Sequence, residues 1–222
     1  DMLDAVKGRA HGRPYRLDVG VADVVPKLIV RRLLQPALSL PQPVRLVCHE
    51  DTHDRLLADL ALHTLDIVVS DAPVPPGASV RAFNHLLGET PVSLFATAAL
   101  ARRYRDGFPR SLAGAPMLLP LEGSPTRRAL SLWFAKLRLE PTVVAEFEDS
   151  ALLKVFGADG VGVFPAPSVM APEVKRQYRV EELGRLDDVK EQFWAISLER
   201  KLLNPAVVAI TAAARAELFA GH

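Results

Sequence analysis

Tyr15-Arg16-Leu17-Asp18-Val19-Gly20-Val21 alternates apolar with polar or small side chains, the two-residue period of a β-strand with one face buried. Asp23 and Pro26 follow, and Val25, Leu28, Ile29, Leu33 and Leu34 then recur at the spacing of one helix face. Pro41 and Pro43 punctuate the chain before a second strand with Val44, Leu46 and Cys48. Asp51 or Thr52 can cap a short helix that packs Leu56, Leu57, Leu60 and Ala61. A third strand, Leu65-Asp66-Ile67-Val68-Val69-Ser70-Asp71, stops at Pro73-Val74-Pro75-Pro76-Gly77. Residues 15–71 thus read β-α-β-α-β, which predicts a parallel sheet with right-handed crossovers.

Outward from this unit the pattern changes and then repeats. Val80 to Leu87 and Val92 to Thr97 are extended apolar stretches. Met117 to Pro120 reads as a short strand. Ser124 as N-cap and Pro125 at the first helical position then open a helix with Leu130, Trp133, Phe134 and Leu137 on one face. Thr142 to Phe147 is another strand, Asp149 or Ser150 caps a helix through Phe156, and Gly157 is expected to end it. Val161 to Phe164 and Phe193 to Leu198 read as strands, and Asn204-Pro205 opens a last helix with Val207, Ile210, Ala214 and Leu218. The fold class is therefore α/β, with two βα lobes.

The chain has 222 residues, 49% hydrophobic and 24% charged, enough to bury a core without cross-links. A formal net charge of +1 gives no global basic field of the kind that marks a nucleic-acid binder. One cysteine, Cys48, excludes an internal disulfide framework and fits a reducing, cytoplasmic setting. No apolar run is long enough to span a membrane, and residues 1–14 lack the apolar segment of a secretion signal.

Several motifs invite a chemical reading. His49-Glu50-Asp51-Thr52-His53 matches the zinc-protease pattern, but that chemistry needs both histidines on one helical face. Here they straddle a strand-to-helix turn, so a solvated turn is the simpler reading. Gly157 to Gly162 is glycine-rich but lies between a helix and a strand, the reverse of a dinucleotide loop, and reads as a helix C-cap and tight turn. Cys48, Trp133 and Trp194 read as core residues. No catalytic constellation and no cofactor motif is found, so the chain is not expected to be an enzyme. Asp23, Glu50 with Asp51, Asp71, Glu122, and Glu148 with Asp149 all fall at strand ends, where ligand crevices of open α/β sheets lie. Taken singly, each is as well explained as a cap or a solvated loop residue.

Three stretches resemble the regulatory domain of LysR-type transcriptional regulators: Leu17 to Asp23, Cys48 to Leu60, and Leu65 to Pro73. Glu146 to Ala158, Trp133-Phe134 and Asn204 to Val207 are similar, more narrowly, to activators of sodium/proton antiporter genes within that family. The resemblance implies a fold like the periplasmic binding proteins: two Rossmann-like lobes joined by two crossover strands, near Thr90 to Val92 and near Phe193 to Ser197. Residues 15–90 with 198–222 would form one lobe and 91–197 the other, with the last helix returning to the first lobe. Residues 1–14 would be the tail of a linker helix, and DNA would be met only by an N-terminal winged helix-turn-helix that this sequence lacks.

The family's effector sites correspond to Ala22 and Asp23, Thr52, Ser70 and Asp71, Ser124, and Phe164 and Pro165. Glu122 adds a nearby carboxylate. Ser124 at a helix N-terminus suits an anion, whereas Asp23, Asp71 and Glu122 oppose one and are candidate sodium ligands. His49 and His53, near the same rim, would titrate around pH ~6.5. The implied function is a sensing domain for sodium, lithium and alkaline pH. It would assemble as a homo-dimer or tetramer through the 25–38 helix, with Leu33, Leu34 and Leu38, or the 54–62 helix. The alternative on the same fold is a solute-binding protein of an uptake system.

Overall fold

The structure is a computed structural model that describes residues 14–220, so the expected linker tail lies almost wholly outside the described residues. In chain order, β1 (Tyr15–Ala22), α1 (Lys27–Leu38), β2 (Val44–Asp51), α2 (His53–Ala61) and β3 (Ile67–Ser70) form the first βαβαβ unit. β1 pairs in parallel with β2 along its whole length and with β3 through Val19 to Val21. The expected parallel unit is therefore present.

Two long strands then carry the chain through the molecule. β4 (Phe83–Ala96) is one strand where the sequence suggested two stretches, and β8 (Glu181–Ser197) pairs with it antiparallel from end to end. Phe193 to Ser197 sit beside the first half of β4, and Trp194 to Ile196 also pair with β3. Glu181 to Leu186 sit beside the second half of β4, which pairs on its other edge with β7 (Phe164–Pro167). Between these halves Thr90 faces Glu191 and Pro91 faces Lys190, with register shifts on either side. The large sheet thus runs β2-β1-β3-β8-β4-β7, and the strands cross at Thr90 and Glu191.

The second lobe adds α3 (Ala98–Arg105), β5 (Pro116–Pro120), α4 (Pro125–Leu137), β6 (Thr142–Phe147), α5 (Ser150–Ala158) and α6 (Ala171–Tyr178). β5 and β6 pair in parallel, and Met117 bridges to Val163 just ahead of β7. α7 (Pro205–Ala213) lies against α1.

One apolar core holds Leu17, Val19, Ile29, Leu56, Ile67, Phe193 and Ile210 and continues into Leu153, Phe164 and Val174 of the second lobe. The other holds Val92, Leu94, Met117, Leu130, Leu186 and Val189. The three proline- or serine-marked helix starts are as expected: Ser124 accepts from Arg127 N–H, Asp149 from Ala151 N–H and Asn204 from Ala206 N–H.

Several expectations are corrected. Gly157 does not end α5 but lies inside it, because a Cβ there would come 2.1 Å from the Phe164 ring. The left-handed turn is made by Gly160 instead, at φ 79°. Cys48 is exposed, since β2 is the sheet edge and its outer side chains have no layer above them. Leu33 and Leu34 face the core and are not free for an interface; Leu38 alone of that trio is exposed. Trp133 and Trp194 are partly buried against the second and first cores.

Candidate functional site

The strand ends of the first lobe and the helix starts of the second face one another across a cleft. Its inner end is a cavity of about 40 Å³ walled by Val24, Asp71, Ser124, Thr126, Ser150, Lys154, Pro165 and Glu191. An adjoining outer chamber of about 300 Å³ is shared by Asp71 and Ser124 and reaches His53, Arg128 and Glu148. Asp71 follows β3 directly, Ser124 caps α4, Lys154 stands one turn into α5, and Glu191 lies on β8 at the strand crossing. One lobe, the other lobe and the crossover each supply a charged group.

Those three groups are almost fully enclosed: Asp71 is 7% exposed, Lys154 3% and Glu191 8%. Burial disfavours the charged form of each. It pushes the Asp71 carboxyl up to about 6 and, with the Asp71 charge adding to it, the Glu191 carboxyl up to about 7. It brings the Lys154 ammonium down to about 8 against the opposing pull of Glu191 and Asp149. Lys154 Nζ donates to the Ser150 carbonyl at 3.1 Å. The Ser150 hydroxyl is buried with no hydrogen-bond partner.

A second chain of contacts backs Asp71. His53 Nδ1 lies 2.7 Å from Ser70 Oγ, which lies 3.5 Å from Asp71 Oδ1 and accepts from Ala72 N–H at 3.3 Å. Burial lowers the His53 pKa, so its ring favours the neutral form, and its Nε2 has no partner. His49 sits on β2 with Nε2 3.1 Å from Asp18, while His53 opens α2. The two histidines therefore share no helical face, and the zinc-protease reading fails on geometry.

Of the candidates read from the sequence, Asp71, Ser124 and Pro165 line the inner cavity, and Ser70 supports Asp71 from behind. Ala22 and Phe164 are core residues, Phe164 stacking on Phe95 at 5.9 Å. Thr52 is the N-cap of α2 and donates its N–H to its neighbour Asp51. Asp23 is half-buried beside Glu148 but lines neither chamber, its neighbour Val24 taking that place. Glu122 points outward, 84% exposed, 3.7 Å from Arg127. Asp23, Asp71 and Glu122 are thus not brought together, and among the described residues no group of three or more His, Cys, Asp or Glu is placed to hold a metal ion. Strand-end reasoning missed Lys154 and Glu191. The available signal was a lone charge within Leu152-Leu153-Lys154-Val155-Phe156, and an acid two residues before Phe193 on the same strand face.

Comparison with known proteins places this geometry. The LysR substrate binding domain model matches residues 10–218. The transcriptional activator protein NhaR of Escherichia coli (strain K12) is 35% identical over 207 residues, which is 93% of this chain and 67% of that protein. The bromide-bound regulatory domain of HypT from Salmonella typhimurium superposes with a TM-score of 0.66 at 14% identity, covering 91% of this chain and 96% of that one. The effector binding domain of QuiR in complex with shikimate gives 0.64 at 14% identity, again over 91% and 96%. These two likenesses establish the two-lobed fold. On the family match and the NhaR relationship, the chain belongs to the LysR-type transcriptional regulators and is their effector-binding domain.

Proposed function

We propose that this domain senses monovalent cations and alkaline pH, and so governs an activator of sodium/proton antiporter expression. The observation that carries the reading is the set of three buried ionisable groups, Asp71, Lys154 and Glu191, around one small cavity where the lobes and the crossing strands meet. Its relation to NhaR supports the activator role and a regulator rather than an enzyme. DNA contact belongs to a winged helix-turn-helix outside this sequence, and the lobes divide at the β4–β8 crossing.

HypT and QuiR show what this fold holds elsewhere, a bromide ion and shikimate. Two features turn this cleft from organic anions. Its inner walls carry two carboxylates against one ammonium, and an unpaired anion is repelled there. Its enclosed volume of about 40 Å³ is also far below the roughly 300–1,000 Å³ of a small-molecule pocket. Alkalinity enters through Lys154. Glu191 on β8, Asp71 after β3, Asp149 before α5 and Lys27 on α1 set its field, and loss of its proton near pH 8 leaves the cavity more negative.

The exposed apolar side chains left over are Leu152, Val155, Phe156, Val143 and Val144 on the second lobe and Leu38 and Leu62 on the first. We place the dimer contact there, where apolar surface stays open to solvent. The test of the sensing role is melting temperature and small-angle scattering in sodium or lithium chloride against matched choline chloride, at pH 7 and 9. A cation-specific change that grows at pH 9 is expected. Tight binding of an organic acid with no response to sodium or lithium would overturn it.

A further inference from the structure

We propose that the inner cavity is a site for one small monovalent cation, held by the Asp71 and Glu191 carboxylates and the Ser150 hydroxyl, and that Lys154 on its wall restricts the site to single charge. The proposal rests on the reading of this cleft as a cation sensor and gives that reading a place and a charge rule.

Three independent features lead to it. The first is formal charge. The enclosed side chains are two carboxylates and one ammonium, so with all three ionised the cavity carries −1. Uncompensated charge in a low-dielectric enclosure is costly, and a single monovalent cation brings this one to zero. A divalent ion would leave it at +1 beside a fixed ammonium. The second is an orphaned donor set. Ser150 Oγ is buried on the cavity wall with no partner, and Lys154 Nζ makes its bond to the Ser150 carbonyl and no salt bridge with Asp71 or Glu191 among the described residues. The ammonium is therefore a neighbour of the carboxylates and leaves their oxygens to another cation. The third is size and ligand type. About 40 Å³ holds a small ion with one or two waters and little else, and carboxylate and hydroxyl oxygens are the ligands hard cations prefer.

The helix starts do not compete for the role. Ser124 already accepts from Arg127 N–H and Asp149 from Ala151 N–H, so each caps its own helix.

The probe is sodium or lithium chloride alone, titrated into the chain at constant ionic strength made up with choline chloride, and followed by sodium-23 line broadening and by melting temperature. Wild type is expected to show saturable broadening and a saturable rise in melting temperature, with magnesium chloride giving neither at matched ionic strength. Glu191→Gln and Asp71→Asn are each expected to weaken sodium binding by tenfold or more. Lys154→Gln is expected to tighten it and to admit magnesium, a gain that a merely misfolded variant cannot produce. Circular dichroism of each variant without added sodium checks its fold. If wild type responds to sodium while Glu191→Gln and Asp71→Asn respond equally, the site is wrong and the sensing role stands. If wild type shows no cation-specific response at either pH, both fall. If Lys154→Gln still excludes magnesium, the charge rule fails.

Discussion

The two lobes offer the cleft different kinds of surface. The first presents strand ends: β3 runs out at Ser70, and Asp71 is the next residue, so its carboxylate reaches the cavity from the end of a strand. The second presents helix starts: Ser124 and Thr126 from α4, and Ser150 and Lys154 from α5, one turn apart. Glu191 belongs to neither arrangement and stands on the crossing strand that both lobes share. A sensor built this way has charge on each part that can move relative to the others, so a change in cavity charge acts on the lobe contact itself.

The largest effect expected from this arrangement is on stability against pH. Glu191 is raised from 4.5 to about 7, so the folded chain keeps a proton that the unfolded chain releases across that interval. Stability falls as pH rises from about 4.5 to 7, by on the order of 3 kcal/mol, and Asp71 adds to the fall in the lower part of the window. Lys154 is lowered from 10.5 to about 8, so between those values the unfolded chain holds the proton and stability is regained as pH rises. The first lobe has the opposite case in Asp18, held at about 2 by Arg16 on an exposed strand face, where its contribution is lost only in strong acid. Urea unfolding from pH 4 to 10 is therefore expected to show a minimum near pH 7–8. Glu191→Gln should flatten the descending limb. A curve that Glu191→Gln leaves unchanged would break the contrast between the lobes.

Packing sharpens the same comparison at a smaller magnitude. Gly157 of α5 has the Phe164 ring where a Cβ would stand, at 2.1 Å, with Phe164 fixed between α5 and Phe95. Gly20 of β1 meets Leu65 Cδ1 at 2.7 Å and Leu56 Cδ2 at 3.0 Å, the ends of flexible side chains. Gly157→Ala is expected to cost about 2 kcal/mol and Gly20→Ala about 1 kcal/mol, since overpacking is relieved only where a neighbour can turn away. Thermal melts of both variants check the ranking, and the reverse order would place the tighter helix–strand contact in the first lobe.

Legibility in the sequence follows the same division. The first lobe could be read because its strands keep period two and its helices present leucines on one face. The second half of the sheet resisted because β8 carries bulges opposite β4. Its buried residues Leu183, Leu186, Val189, Glu191 and Phe193 are spaced three, three, two and two apart, so no period survives in the one-dimensional string. Searching strand ends for charge found Asp71 for the same reason it missed Lys154, which sits a turn inside a helix. The glycine at 157 was taken for a stop because its purpose, room for Phe164, is a contact made only in three dimensions.

A third expectation tests the outer face of the second lobe against that of the first. Val155 is 49% and Phe156 40% exposed on α5, whereas Leu33 and Leu34 on α1 are buried. Val155→Asp is expected to shift the chain from dimer to monomer at micromolar concentration by light scattering, with stability changed by less than about 0.5 kcal/mol because little of the side chain is in the core. An unchanged dimer would move the contact off this face.

The smallest expected effect is the most informative about how the site is assembled. Glu122, read from the sequence as a cation ligand beside Asp23 and Asp71, has its side chain 84% exposed and 3.7 Å from Arg127, whose guanidinium also pairs with Glu146. An exposed pair of this kind contributes about 0–1 kcal/mol, and the Glu122 carboxylate is hydrated and outside the inner cavity. Glu122→Gln is thus expected to leave sodium-dependent melting within twofold of wild type, while Asp71→Asn, fifty-one residues earlier and 7% exposed, removes it. Both changes delete one negative charge from the same side of the sheet, so a long-range effect of net charge would weaken both alike. Only a site that depends on enclosure separates them. Calorimetric titration of sodium into both variants reads the difference, and a tenfold loss in Glu122→Gln would return the site to the strand-end loops.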